Sequence, residues 1–363
     1  MTTFAAYADI HETLGAGALY TIDPALVRSD PYYVFAHPPP VVHYIGLLAR
    51  LRALGVPFPV AFRLIPSLVD IATAALVLLA CRARGDRRAL LKAAIVLFSP
   101  ALVLVSGFHG NTDSLLVFFT LAAVLAAERE RGLAAGVLLA LATSVKLSGL
   151  LVAPAVFLTL PPRKWFDAAL GLAATLALAW GPTVAALPPG SLEKSLAYAS
   201  TPRWWGISSL LVGGLFATEG TYGLTSQFLR WVYPHYFKAG KFVVVLVAAL
   251  ASLARGTRGV RGAELAAASI LAFLALTPGF GPQYLAWPGA LLAVASARRG
   301  AIFAVVSGTF LLLVYREWSF GELGYASSWA HGVWIRPVTD LAGFATWALS
   351  LVGSIALLVR KRP

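Results

Sequence analysis

The stretch SPALVLVSGFHGNTDSLLVFFTLAAVLAA (residues 99–127) places the polar turn His109–Asp113 between two apolar runs. These runs, at 90–107 and 113–127, approach the roughly 20 residues that cross a bilayer's hydrocarbon core. Inside lipid the backbone must satisfy its own hydrogen bonds, so each run is predicted to be a helix. A bundle of apolar helices joined by polar turns is therefore the fold predicted for this part of the chain.

The composition extends this prediction to the whole chain. Hydrophobic residues make up 59% and charged residues 12%, with a mean hydropathy of +0.77, whereas soluble domains are about 25% charged. The net charge of +13 would also suit a nucleic-acid partner. The basic residues, however, form short clusters between apolar runs, as cytoplasmic loops of membrane proteins do, so we expect no nucleic-acid binding.

The fold class predicted is all-α, a polytopic transmembrane bundle of about eleven spans. The runs lie at 60–81, 90–107, 113–127, 133–147, 148–160, 165–187, 240–254, 264–277, 283–297, 300–315 and 337–359. Val41–Leu54, with His43, Arg50 and Arg52, is predicted to be an amphipathic helix in the membrane interface. Four regions follow: a first loop (1–59), an amino-terminal membrane module (60–187), a loop with a possible re-entrant segment (188–239) and a carboxyl-terminal membrane module (240–363).

The distribution of basic residues predicts the orientation. Six short loops hold 17 of the 29 Lys and Arg residues, so the positive-inside rule places these loops and the carboxyl terminus in the cytoplasm. The first loop then lies outside, on the extracytoplasmic face of the cell inner membrane. Because no signal peptide precedes it, we expect a further span upstream of Met1 or a misassigned start.

The outer face collects the polar residues in this orientation. The longest polar run is AAYADIHETLGAGALYTIDPALVRSDPYYVFAHPPP (residues 5–40), which carries Asp9, Glu12, Asp23 and Asp30 and ends in a rigid proline turn. Irregular polar backbone at a membrane face is tolerated where it lines a wet cavity. Chemistry is therefore expected on this face, and the inner loops are expected to act as anchors.

These segments together resemble the GT-C superfamily of integral-membrane glycosyltransferases, which includes protein O-mannosyltransferases and lipid A aminoarabinose transferase. The resemblance rests on the acidic first loop, HPPP (37–40), Arg63 in FRLIPSLVD, SPALVLVSGFHGNTDSLLVFF (99–119) and LALATSVKLSGLLVAPAVFL (139–158). It covers residues 5–160, and RWWGISSLL (203–211) and LTPGFGPQYLAWPGALL (276–292) are also similar to bacterial members.

The resemblance implies transfer of a sugar from a polyprenyl-phosphate donor to a lipid-linked glycan, lipid or protein hydroxyl. Asp9 matches the carboxylate that acts as general base or orients the acceptor, and Asp113 matches a second acid. His37 and Lys146 lie where the family carries cations near the donor phosphate. In the family's pattern a lysine stands where this chain has His37, and the family's first span is missing here.

Each of these residues also has a structural interpretation. Asp9 and Asp113 could cap helices, and Lys146 could extend to the interface. Arg203 is a further candidate ligand of the donor phosphate. The candidate substrate contacts are Asp30, His109, Trp204, Trp205, Gln283 and Tyr284. Asp30 is also the second choice as general base. The two tryptophans would equally suit an interfacial aromatic belt.

Two further expectations complete the prediction. The single Cys81 and the lack of CxxC or HExxH spacing predict no disulfide, metal site or cofactor. The alternative function is a secondary transporter or lipid-carrier flippase, which would also have about a dozen spans. The lack of an internal repeat and the concentration of polar residues on one face favour the transferase.

Overall fold

The computed structural model describes residues 2–23, 27, 35–197, 207, 235–236, 242, 244–247, 249–250, 261–277, 281–318 and 336–359. Over these residues the chain is helical and contains no strand. The all-α class predicted from the sequence is therefore confirmed.

The α-helices of the described residues lie in the amino-terminal segment, along predicted apolar runs and in one short stretch after residue 187. They are α1 (Thr2–Leu14), α2 (Ala18–Thr21), α3 (Val41–Ala53), α4 (Phe58–Ala83), α5 (Ala89–Leu97), α6 (Pro100–Val103), α7 (Asp113–Glu128), α8 (Gly132–Val145), α9 (Ala153–Thr159), α10 (Trp165–Ala186), α11 (Ser191–Ala197), α12 (Gly262–Leu276), α13 (Gly289–Ala295), α14 (Ala297–Trp318) and α15 (Arg336–Val359). A π-helix spans Leu104–His109, and 3₁₀ segments span Leu147–Val152, Pro162–Lys164 and Pro282–Ala286.

Five helical stretches of the described chain are long and apolar enough to cross a membrane, judged by length and composition. They are Phe58–Ala83, Ala89–His109, Pro162–Ala186, Ala297–Arg316 and Val338–Val359. Other predicted spans are shorter helices, and 240–254 is described only in part. The membrane bundle is thus supported, while the count of eleven spans stays a prediction.

Helix α7 lies at the centre of the bundle. It is largely apolar on all sides, and most of its side chains are buried, which is typical of a helix enclosed by others. Helices α4, α8 and α12 pack around it. Side chains such as Leu121, Leu139 and Phe310 are fully buried in this main core.

A second core joins the amino-terminal helices to the start of α4. Tyr7 of α1, Phe35, Ile45 and Leu48 of α3, and Phe62 of α4 are buried together there. The predicted amphipathic helix at 41–54 is present as α3, which buries one face on α1 and α4. This amino-terminal cap carries the segment Phe35–Pro40 onto one end of the bundle.

Candidate active site

The carboxylate of Asp113 forms the centre of the candidate site. Asp113 is the first residue of α7, and its side chain is fully buried. The turn before it needs Gly110, whose φ of +68° is left-handed and whose site a Cβ could occupy only 2.9 Å from the Phe62 ring. This tight turn brings the α7 amino terminus, where the helix dipole favours an anion, beneath the cap.

Lys146 forms an ion pair with this carboxylate. Helix α8 ends at Val145, and Lys146 is extended (φ −150°, ψ 140°) before a 3₁₀ turn begins. Its Nζ donates to both Asp113 oxygens at 2.8 Å, and its side chain is 13% exposed. The side chain thus points to Asp113 and is not extended to the interface. Two opposite charges buried together depend on each other, because either one alone would lack compensation.

Trp287 completes the contacts of Asp113. Its Nε1 donates to Asp113 Oδ1 at 2.5 Å. Its ring stacks on Tyr284, with centroids 4.1 Å apart, and Lys146 Nζ lies 5.3 and 5.9 Å from the two ring centroids. Both rings face one way because residues three apart align on a 3₁₀ helix. Trp287 was not among the site residues predicted from the sequence, although its spacing of three residues from Tyr284 was a signal for it.

His37 lies in the segment that the amino-terminal cap brings to the bundle. Its carbonyl accepts hydrogen bonds from Tyr20 Oη (2.8 Å) and Ser195 Oγ (2.7 Å). The ring lies against three aromatic rings, those of Phe4, Tyr7 and Phe35. Burial, and secondly the charge of Lys146, lower the pKa of His37 to about 3. The imidazole is therefore neutral at pH 7.

Two more polar groups lie on this side of the bundle. His109 ends the π-helix, stacks on Tyr315 with centroids 5.3 Å apart, and is within electrostatic range of Lys146. Arg63 of α4 donates from Nη2 to the Phe108 carbonyl at 3.4 Å, and its buried Nε has no hydrogen-bond partner among the described residues. Short π-helices often occur at functional sites. His109 and Arg63 therefore place further hydrogen-bonding groups beside the turn that precedes Asp113.

Asp9 lies outside this cluster. Its side chain is 59% exposed and accepts a hydrogen bond from Arg52 Nη1 at 2.6 Å, and Glu12 accepts another from the same guanidinium. Tyr7, two residues earlier, contacts His37. Two residues rotate an α-helix by about 200°, so Asp9 and Tyr7 point to opposite sides of α1.

The other predicted residues divide into two groups. The side-chain amide of Gln283 lies against Gly281. Among the described residues, Gln283 forms no assigned contact with the Asp113–Lys146 cluster. Four candidates, Asp30, Arg203, Trp204 and Trp205, lie outside the described residues. The structure thus brings together Asp113, Lys146, Tyr284 and the two histidines, and adds Trp287 and Arg63.

The comparison with protein families gives a match over most of the chain. The model of glycosyltransferase family 87 matches residues 35–278, about two thirds of the chain. The matched region contains His37, His109, Asp113 and Lys146, and it ends before Tyr284 and Trp287. No curated protein and no solved structure matches the chain.

Proposed function

The chain belongs to glycosyltransferase family 87, and from this premise we propose that it is a GT-C type enzyme using a polyprenyl-phosphate sugar. The acceptor is a hydroxyl of a lipid-linked glycan, lipid or protein. The observation that carries the proposal is the buried Asp113–Lys146 pair, held also by the Trp287 indole, within a bundle that contains membrane-length helices.

The donor phosphate fits the cationic side of the site. Lys146 supplies an ammonium, Arg63 has a buried Nε available, and the neutral ring of His37 can donate one hydrogen bond. Donors fixed in a water-poor site stabilise developing negative charge better than the same donors in water. A lipid-linked donor keeps its chain among the helices while its phosphate reaches these groups, which favours it over a water-soluble nucleotide sugar.

Asp113 is the general base in this proposal. Its Oδ1 accepts from Trp287 and Lys146, whereas its Oδ2 accepts from Lys146 alone among the residues that the structure describes. When Lys146 turns toward the donor phosphate, Oδ2 becomes able to accept a proton. Trp287 stays bonded to Oδ1 and keeps the carboxylate in position.

The reaction is a single displacement. The acceptor hydroxyl gives its proton to Asp113 Oδ2, and its oxygen forms a bond to the anomeric carbon. The bond from that carbon to the phosphate oxygen breaks, and polyprenyl phosphate leaves with the electron pair. Lys146 and Arg63 balance the charge on the leaving phosphate, and one displacement inverts the anomeric configuration.

Asp9 is the alternative base, as the GT-C resemblance implies. Its ion pair with Arg52 and its 59% exposure support a surface role instead. The basic inner loops support an active site on the extracytoplasmic face of the inner membrane, with the carboxyl terminus in the cytoplasm.

The test is sugar transfer by the purified protein in liposomes. Radiolabelled polyprenyl-phosphate hexoses and pentoses are compared with the matching nucleotide sugars, with total membrane lipids and glycans as acceptors. We expect transfer from a polyprenyl-phosphate donor by the wild type and none by Lys146→Met, while Lys164→Met, in an exposed pair with Asp167, stays active. Transfer from nucleotide sugars alone would refute the donor class, and full activity of Lys146→Met would refute the site.

A further inference from the structure

A cleft between α1 and α3 is separate from the site described above. It has a volume of about 530 Å³, within the range of ligand-binding pockets. Its lining comprises His11 and Glu12 of α1 and Gly46, Ala49, Arg50, Arg52 and Ala53 of α3. Helix α3 comes close enough to α1 here that a Cβ at Gly46 would lie 3.1 Å from the His11 ring.

The charges of the cleft are divided between its two sides. Arg52 binds both Asp9 and Glu12, so these three groups carry one net negative charge. Arg50 is exposed and forms no ion pair with any described residue, so it adds one positive charge. Burial lowers the pKa of His11, with Arg50 and His43 adding to the effect and Glu12 opposing it, so its ring is neutral at pH 7. The cleft is therefore zwitterionic.

Exposed leucines lie on or directly after the two helices that line the cleft. Leu14, at the end of α1, is 62% exposed, Leu47 of α3 is 46% exposed, and Leu54, directly after α3, is 80% exposed. An amphipathic helix with exposed leucines beside arginines is typical of helices that lie in the headgroup region of a bilayer. Acyl chains would cover these leucines while a headgroup occupied the polar cleft.

We propose that this cleft binds the headgroup of a zwitterionic aminophospholipid. The lipid phosphate pairs with Arg50, and the primary ammonium donates a hydrogen bond to Glu12, the carboxylate that lines the cleft. A headgroup with a phosphate alone would leave the excess carboxylate charge uncompensated. A quaternary ammonium would supply the charge but no N–H donor.

The experiment counts lipids retained by the purified protein in native mass spectrometry. Phosphatidylethanolamine, phosphatidylglycerol and phosphatidylcholine are added singly at equal concentration. We expect phosphatidylethanolamine to bind about tenfold more tightly than the other two, the size of one charged hydrogen bond. Arg50→Gln should lower its affinity about tenfold, whereas Glu12→Gln should lower it while raising that of phosphatidylglycerol.

Matched controls come from an exposed ion pair elsewhere. Arg163→Gln and Glu130→Gln break the Arg163–Glu130 pair and should leave lipid selectivity unchanged. Equal retention of the three lipids, or unchanged selectivity in both cleft variants, would overturn the proposal. Soluble phosphoethanolamine is the last arm, and displacement of the lipid by millimolar amounts of it would show that acyl chains are not required and would overturn the lipid identity.

Discussion

Replacing Lys146 by methionine tests the buried ion pair without disturbing much volume. Asp113 is fully buried, and Lys146 is bonded to both of its oxygens. After Lys146→Met, the indole of Trp287 is the side-chain donor that the Asp113 carboxylate retains among the described residues. A buried charge that loses its partner destabilises a protein by about 3–5 kcal/mol, and we expect this loss in the free energy of unfolding.

The double variant separates the charge from the packing. Lys146→Met combined with Asp113→Asn removes both charges and keeps an oxygen for the Trp287 donor. It should therefore be more stable than Lys146→Met alone, with a coupling energy of about 2–3 kcal/mol between the two sites. The exposed Arg163–Glu130 pair gives the baseline for the loss of an ion pair, because Arg163→Met should lower the free energy of unfolding by about 0–1 kcal/mol.

Reversible unfolding in mixed micelles, followed by tryptophan fluorescence, measures these free energies. The reasoning is refuted if Lys146→Met costs no more than Arg163→Met. It is equally refuted if the costs of Lys146→Met and Asp113→Asn simply add, since additive costs would mean that the two groups do not interact.

Three further predictions follow from single contacts. Trp287→Phe keeps the ring stack but removes the hydrogen-bond donor to Asp113. The kcat for sugar transfer should therefore fall about tenfold, with little change in the KM for the donor. An unchanged kcat would contradict the role of Trp287 in positioning Asp113. The pKa of His37 is about 3, so unfolding exposes a histidine that binds a proton below about pH 6.5. As pH falls from 6.5 to 4, the wild type should lose about 1.4 kcal/mol per pH unit more stability than His37→Gln, and parallel pH curves contradict this. Gly110→Ala should lower stability by about 1–3 kcal/mol because of its positive φ and the Phe62 ring, and an unchanged thermal melting midpoint contradicts it.

Local patterns predicted the parts of the site that depend on local structure. The apolar runs predicted a polar turn that ends at Asp113, and α7 begins at that residue. The site roles of Asp113 and Lys146 came from the resemblance to the GT-C superfamily and stay predictions. The α-helical class followed from hydropathy alone. The resemblance to the GT-C superfamily covered the same residues.

The contacts between these residues depend on tertiary packing. Lys146 and Asp113 are 33 positions apart, and Trp287 and Asp113 are 174 apart, so no local pattern states that they meet. The contact of Asp9 also depends on tertiary packing. The resemblance matched Asp9 to the family's base, a role that stays a prediction, and in the structure Asp9 binds Arg52, 43 residues away.

The comparison of Asp113→Asn with Asp9→Asn tests the central claim most directly. Both variants are measured at matched expression for transfer from a radiolabelled polyprenyl-phosphate sugar. We expect Asp113→Asn to abolish transfer, and Asp9→Asn to keep most of it because Asp9 forms an exposed ion pair. Abolished transfer in Asp9→Asn with activity retained in Asp113→Asn would contradict the account and assign the base to the first loop.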